Sequence, residues 1–188
     1  MLKYNLIVAV CEDFGIGLKG DLPWHLNVAC RSELKYFSRT TKLKGNPAKR
    51  NVVIMGRKTY FGIPPNKRPL PERVNIVLST TLSAEDLPKD VLLCRNLDIA
   101  MQTLESEKWI ETIENVWIVG GSRVYEEALA SPRCHRLYLT KIKEHFNCDT
   151  FFPSIPESFC EIPIDDKTPQ GIQEEKGIKY EYKILEKH

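Results

Sequence analysis

Five short apolar runs constrain this chain more than any other feature. They occupy residues 4–10, 51–55, 74–78, 91–94 and 116–119, and the last four are each followed by polar or glycine turn residues. Such runs read as strands buried on both faces, the pattern of a parallel sheet covered by helices. Helical spacing lies between them at residues 31–41, 97–105 and 122–130, the last placing Val124, Ala128 and Leu129 on one face. The C-terminal third changes character. Residues 136–143 and 179–186 alternate apolar and polar side chains, as half-buried antiparallel strands do. The expected fold is α/β: a mainly parallel mixed sheet flanked by helices, with an antiparallel C-terminal edge. Pro64-Pro65 and the stretch from Pro69 to Pro71 mark an irregular surface segment, so one domain is expected over residues 1–188.

Composition narrows the function classes. Lys and Arg number 27 against 25 Asp and Glu, a balance that disfavours an electrostatically driven nucleic-acid or membrane-surface binder. A hydrophobic content of 42% fits one globular core. No apolar stretch approaches the roughly 18 residues of a membrane helix, and the N-terminal run leads straight into Glu12 and Asp13. The chain reads as soluble and cytosolic, with reduced cysteines: Cys11, Cys30 and Cys94 sit inside apolar patterns. Cys134, His135, His145 and Cys148 invite a metal reading. The strand-like stretch between the two histidines separates its ends by about 30 Å, too far for one coordination sphere. No metal is expected.

Gly15-Ile16-Gly17-Leu18-Lys19-Gly20 matches G-x-G-x-x-G, but Asp21-Leu22-Pro23-Trp24 follows where a dinucleotide fingerprint needs a helix. Pro23 disfavours helical geometry at Leu22, and Asp21 stands where a P-loop needs lysine. These glycines suit a loop that moves over a ligand. The strand ends carry a better signal. The apolar runs lead into Gly56-Arg57-Lys58-Thr59, Ser79-Thr80-Thr81, Arg95 and Gly120-Gly121-Ser122. Ligands of open α/β sheets collect at strand carboxyl ends, and helix starts there favour anions. Four such turns on one edge point to a phosphate-rich ligand. Glu33 lies beside Leu34 and Phe37 on the helix of residues 31–41. Its pattern reads as a solvated surface carboxylate. Facing the core instead, it would need a partner such as a ligand's amidine-like N–H pair.

Several segments together are more specific: Ile7-Val8-Ala9-Val10, Gly15-Ile16-Gly17 through Asp21-Leu22-Pro23-Trp24, Val53-Ile54-Met55-Gly56-Arg57-Lys58-Thr59, Asn75-Ile76-Val77-Leu78-Ser79, Val116-Trp117-Ile118-Val119-Gly120-Gly121-Ser122, Thr150-Phe151-Phe152-Pro153 and residues 173–180. In this order they resemble dihydrofolate reductase, most closely the animal single-function enzymes, from Asn5 almost to the C-terminus. The resemblance implies an eight-stranded mixed sheet. It also implies NADPH-dependent reduction of 7,8-dihydrofolate to tetrahydrofolate, supporting one-carbon and thymidylate metabolism. In that family hydride passes to pterin C6, and N5 takes its proton through water.

Residue by residue, the resemblance makes Glu33 the active-site carboxylate that pairs with pterin N3 and the 2-amino group. Leu22, Trp24 and Thr140 join it as catalytic positions, the last two through hydrogen bonds to the water or carboxylate. Ile7, Val8, Leu22, Leu34, Phe37, Ile63, Leu70, Val119 and Tyr125 match substrate-pocket positions, and Arg73 matches the arginine that grips the glutamate α-carboxylate. Ala9, Ile16, Gly20, Arg57, Lys58, Thr59, Leu78, Ser79, Thr80, Arg95, Gly120, Gly121, Ser122, Arg123 and Val124 match cofactor contacts. Thr80 stands where vertebrate relatives carry an arginine, leaving Arg57 and Arg95 as the main charges near the 2′-phosphate. Cis peptides are implied at Gly120–Gly121 and Arg68–Pro69. A monomer that binds antifolates, without membrane or stable nucleic-acid partners, completes the expectation.

Eight residues separate Trp24 from Glu33, a few more than in the family pattern. Either a bulge at residues 25–29 absorbs them, with the helix starting near Ser32, or the helix starts near Asn27, a favoured N-cap residue. The second is expected, because Val28-Ala29-Cys30 offers apolar cover. Two other functions stay open: a related reductase acting on another pterin or a riboflavin precursor, and a non-catalytic binding module, regulatory RNA binding included.

Overall fold

The apolar runs build the centre of one sheet. The structure, a computed structural model, describes residues 1–24 and 31–188; the choice between a bulge at 25–29 and a helix begun near Asn27 lies outside the described residues. In chain order the elements are β1 (Tyr4–Val10), β2 (Gly15–Gly17), α1 (Arg31–Lys42), β3 (Arg50–Gly56), α2 (Arg57–Gly62), β4 (Arg73–Leu78), β5 (Val91–Cys94), α3 (Leu97–Glu105), α4 (Glu107–Ile110), β6 (Ile113–Ile118), α5 (Ser122–Ala130), β7 (Cys134–Ile142), β8 (Thr150–Phe151), β9 (Phe159–Ile162), β10 (Ile172–Glu175) and β11 (Ile178–Lys187).

The main sheet runs β10-β11-β7-β1-β6-β3-β4-β5. From β7 to β5 every neighbouring pair is parallel. β11 pairs antiparallel with β7, and its other edge carries β10 along Ile178 to Glu181 and β9 along Ile184 to Lys187. The nine strands described therefore fill eight lateral places, two short strands lying end to end at the last. β2 pairs with β8 in a separate small ribbon. Parallel strands point their carboxyl ends one way, so the loops after β1, β3, β4, β5 and β6 gather at one edge.

Two apolar layers sandwich the sheet. One packs Leu6, Val52, Ile54 and Ile76 under Met101 and Leu104 of α3 and Ala128 and Leu129 of α5. The other packs Ile7, Val53, Met55 and Trp117 under Tyr36 of α1 and Tyr60 of α2. α5 buries Tyr125, Ala128 and Leu129, with Val124 half-buried at the margin. α1 departs from the sequence pattern more. Its buried residues are Glu33, Tyr36 and Thr41, whereas Leu34 is 44% exposed and Phe37 half-buried. The spacing 33, 36, 37, 41 is the stripe that faces the sheet, and Leu34 lies beside it. Glu33 is not a solvated carboxylate. Among the described residues no helix is long and apolar enough to cross a membrane. Cys134 and His135 open β7 while His145 and Cys148 lie past its far end.

Candidate active site

α1 meets both ends of an unusual charge arrangement, carrying Glu33 itself and reaching Arg73 of β4 through Thr41. Glu33 is 5% exposed, and among the described residues no hydrogen bond or ion pair meets its carboxylate. Burial pushes its pKa up to about 7. Arg73 opens β4 and is 4% exposed. Its Nη1 donates to Thr41 Oγ1 at 2.8 Å and its Nε to the Pro71 carbonyl at 2.9 Å. No carboxylate among the described residues pairs with it, since the adjacent Glu72 bridges to Lys42 at 3.0 Å. Burial lowers the Arg73 pKa. Thr41 lies two turns along α1 from Glu33, about 12 Å at 1.5 Å per residue. A buried charge without a partner is costly. Here an anion and a cation both go unmatched, so the pocket suits a long ligand with a cationic or N–H-bearing head and an anionic tail.

The walls between them are apolar. Ile7, Ala9, Leu22, Trp24, Phe37, Ile63, Leu70 and Val119 share the layer under α1, while the Val8 side chain joins the opposite layer. Alternation along β1 forces that split. Tyr125 crosses it, its hydroxyl donating to the Ile7 carbonyl at 2.8 Å. Burial, with the Glu33 charge added, raises its pKa. Thr140 of β7 is 1% exposed and in register with Ala9 and Tyr182. The indole Nε1 of Trp24 is buried and finds no partner among the described residues.

Two polar residues outside the sequence reading position this wall. Thr41 donates to the Phe37 carbonyl at 2.9 Å while accepting from Arg73. Asn75 accepts from Leu70 N and donates to Leu70 O, both at 2.9 Å. The available signal was a polar interruption: Asn75 breaks an apolar strand, and Thr41 sits eight residues after Glu33.

At the carboxyl edge of the sheet, Gly56 and Gly120 bring two strand ends together, Gly56 N donating to Gly120 O at 2.8 Å. The Gly120–Gly121 peptide is cis, as is Arg68–Pro69. Gly120 has φ +123°, and a Cβ on Gly121 would lie 3.3 Å from Thr59 Oγ1, so a side chain would fill this cradle. α5 starts here without a side-chain cap, leaving its first N–H groups aimed outward. Arg57, Lys58, Arg95 and Arg123 are exposed around it, and no ion pair involving them occurs among the described residues. Arg95 Nη1 is fixed to the Ser79 carbonyl at 2.9 Å, while Ser79 Oγ accepts from Thr81 and Leu82 N–H groups. Thr80 is exposed, and Ile16, Leu78 and Val124 pack on the layer below. The cradle fits a pyrophosphate and the cations a further phosphate.

The glycine segment is a hairpin, not a helix entry. Leu18 and Asp21 exchange backbone hydrogen bonds at 2.9 and 3.0 Å around Lys19 and Gly20, both at positive φ. Its tip reaches α2, where a Cβ on Gly62 would stand 2.8 Å from the Gly20 carbonyl. A second concavity, at the amino ends of β1 and β6, is lined by Arg39, Trp117, Asp165 and Lys167 among others. Arg39 donates to the Lys167 carbonyl there, and Asp165 accepts from Lys167 N and Thr168 Oγ1, while the buried Trp117 Nε1 finds no partner among the described residues.

Comparison with known proteins agrees with this geometry. Residues 3–187 match the sequence profile of the family described as dihydrofolate reductase. The chain is 66% identical to dihydrofolate reductase of Drosophila melanogaster over the full length of both. It is 45% identical to that of Bos taurus, covering 98% of this chain and 97% of the relative. The solved Schistosoma mansoni dihydrofolate reductase superposes with a TM-score of 0.85 at 33% identity, over 100% of this chain and 99% of that one.

Proposed function

The chain belongs to the dihydrofolate reductase family, and on that premise we propose that it reduces 7,8-dihydrofolate to 5,6,7,8-tetrahydrofolate with NADPH. The observation that carries this reading is the pair of buried, unmatched charges on Glu33 and Arg73. Dihydrofolate complements each: the pterin N3–H and 2-amino group form an amidine-like edge for Glu33, and the glutamate α-carboxylate answers Arg73. Ile7, Leu34, Phe37, Ile63, Leu70 and Val119 form the apolar walls between, and Tyr125 braces β1 beneath them. Gly120, Gly121, Thr59 and the α5 N-terminus hold the NADPH pyrophosphate, and Arg57 and Arg95 its 2′-phosphate. When bound, NADPH supplies the hydride that pterin C6 accepts.

The remaining chemistry belongs to the chain. A carboxyl with pKa about 7 takes up and returns a proton near neutrality, where general acid–base work is most effective. Glu33 thereby draws the proton for N5 toward the pocket, and the unpartnered Trp24 indole N–H holds the water that delivers it. Thr140 joins the hydrogen-bond network of that water when the ligand is bound, and Leu22 excludes bulk water. Antifolates with the same amidine-like edge compete at Glu33. Glu33 with Arg73 favours dihydrofolate over a riboflavin precursor, because the pair reads both a pterin edge and a glutamate tail.

Initial rates of NADPH oxidation with dihydrofolate test the reading. A charge-assisted bidentate contact contributes about 1.5–3 kcal/mol, so Glu33→Gln should lose at least tenfold in kcat/KM while Asp21→Asn stays near wild type. NADPH should be preferred to NADH by more than tenfold, less so with added salt. Near-normal turnover in Glu33→Gln with collapse in Asp21→Asn would overturn the assignment.

A further inference from the structure

We propose that Cys11 and Cys148 form an oxidative modification site, closing to a disulfide that clamps the base of the glycine hairpin. Cys11 directly follows β1 and Cys148 precedes β8, so the two thiols come from the segments on either side of β2. Their sulfurs lie 3.6 Å apart. Gly15 makes that approach possible: a Cβ there would stand 2.9 Å from both Cys11 Sγ and Cys148 Cβ, and closer still to Cys148 Sγ. The backbones are already joined, Cys11 N donating to Gly15 O at 3.0 Å and Asp149 N to Gly17 O at 2.9 Å. Side-chain rotation brings the sulfurs toward the bonded distance of about 2.05 Å. Cys94 and Cys134 are buried elsewhere, and Cys160 is exposed.

The oxidant is a small disulfide of the glutathione class. Cys148, the half-buried member, meets it first. Its thiolate attacks one sulfur of the oxidant, forming a mixed disulfide and releasing one thiolate; the Cys11 thiolate then displaces the second from Cys148. The two protein thiols give up two protons and two electrons, and the oxidant leaves as two thiols. Burial and the neighbouring Cys11 push the Cys148 pKa up to about 12, so thiolate is scarce at neutral pH and closure is slow, accelerating as pH rises. The effect on turnover rests on the proposed function, in which the hairpin reaching Gly62 is the lid of the reductase site. Linking its base restrains opening, which limits product release.

The test incubates the full chain with oxidised glutathione at mildly alkaline pH, then alkylates, maps peptides by mass spectrometry and measures kcat. The expected result is a Cys11–Cys148 linked peptide lighter by two hydrogens, with kcat lowered several-fold and restored by dithiothreitol. Cys148→Ser should keep basal activity and lose the response. Free, alkylatable Cys11 and Cys148 beside a glutathionylated Cys160 would overturn the site, and a linked peptide with unchanged kcat would overturn the clamp. Absence of dihydrofolate reduction before oxidation would instead overturn the function, because the peptide map does not depend on turnover.

Discussion

Burying Glu33 without a partner sets the ligand-free protein against its own stability. Unfolded, this carboxyl titrates near 4.5; folded, burial moves it to about 7. Between those values the folded chain holds the extra proton, so the stability this residue contributes is full below pH 4.5 and is lost as pH rises through about 7. Glu33→Gln abolishes that titration. Above pH 7 the ligand-free variant should be more stable than wild type by about 1–3 kcal/mol, a few degrees in Tm. Below pH 4.5 the two should coincide. Thermal unfolding followed by circular dichroism at paired pH values measures this. A variant no more stable at high pH would mean that the carboxylate is already satisfied in the free protein. Arg73 raises the same conflict with opposite sign, and function keeps both.

Elements decide how these residues meet. The glycine segment was legible as a turn and not a phosphate-binding helix entry, because Pro23 and Asp21 spoil both phosphate-binding alternatives. Its contact was not: Gly20 meets Gly62 across 41 intervening residues, and no local pattern encodes that approach. Backbone stands 2.8 Å from where a Cβ at Gly62 would lie, so Gly62→Ala must push the hairpin off α2. Expected are a several-fold loss in kcat/KM for dihydrofolate and a stability change within about 1 kcal/mol. Steady-state kinetics with a parallel melt checks it; full kcat/KM would mean that the hairpin does not need this contact. α1 repeats the lesson. A pattern built on Leu34 and Phe37 found the helix but turned its face slightly, because the anchors that seat it are Tyr36, its ring centroid 4.1 Å from that of Tyr182 with the planes tilted by 40°, and the polar Thr41.

In the whole molecule, the parallel sense of the central strands was readable from five apolar runs, since strands covered on both sides are uniformly hydrophobic, while their order was not. That shared direction gathers Gly56, Ser79, Arg95 and Gly120 at one edge without further instruction. The C-terminal edge was readable as antiparallel, but not the end-to-end placing of β9 and β10 on β11. The candidate site's backbone was legible where a motif carries it, at the cis Gly120–Gly121 peptide. The site was illegible where polar residues act through tertiary contacts, as Thr41 does on Arg73 and Asn75 on Leu70. The central claim is that one ligand answers both buried charges, and the tail end isolates it. The decisive measurement is kcat/KM for dihydrofolate and for a dihydropterin lacking the glutamate tail, in wild type and in Arg73→Gln. A lost charge-assisted contact of about 1.5–3 kcal/mol predicts that wild type prefers dihydrofolate at least tenfold and that Arg73→Gln loses this preference while its rate on the tail-less pterin is unchanged. Equal preference in the two proteins would contradict the account.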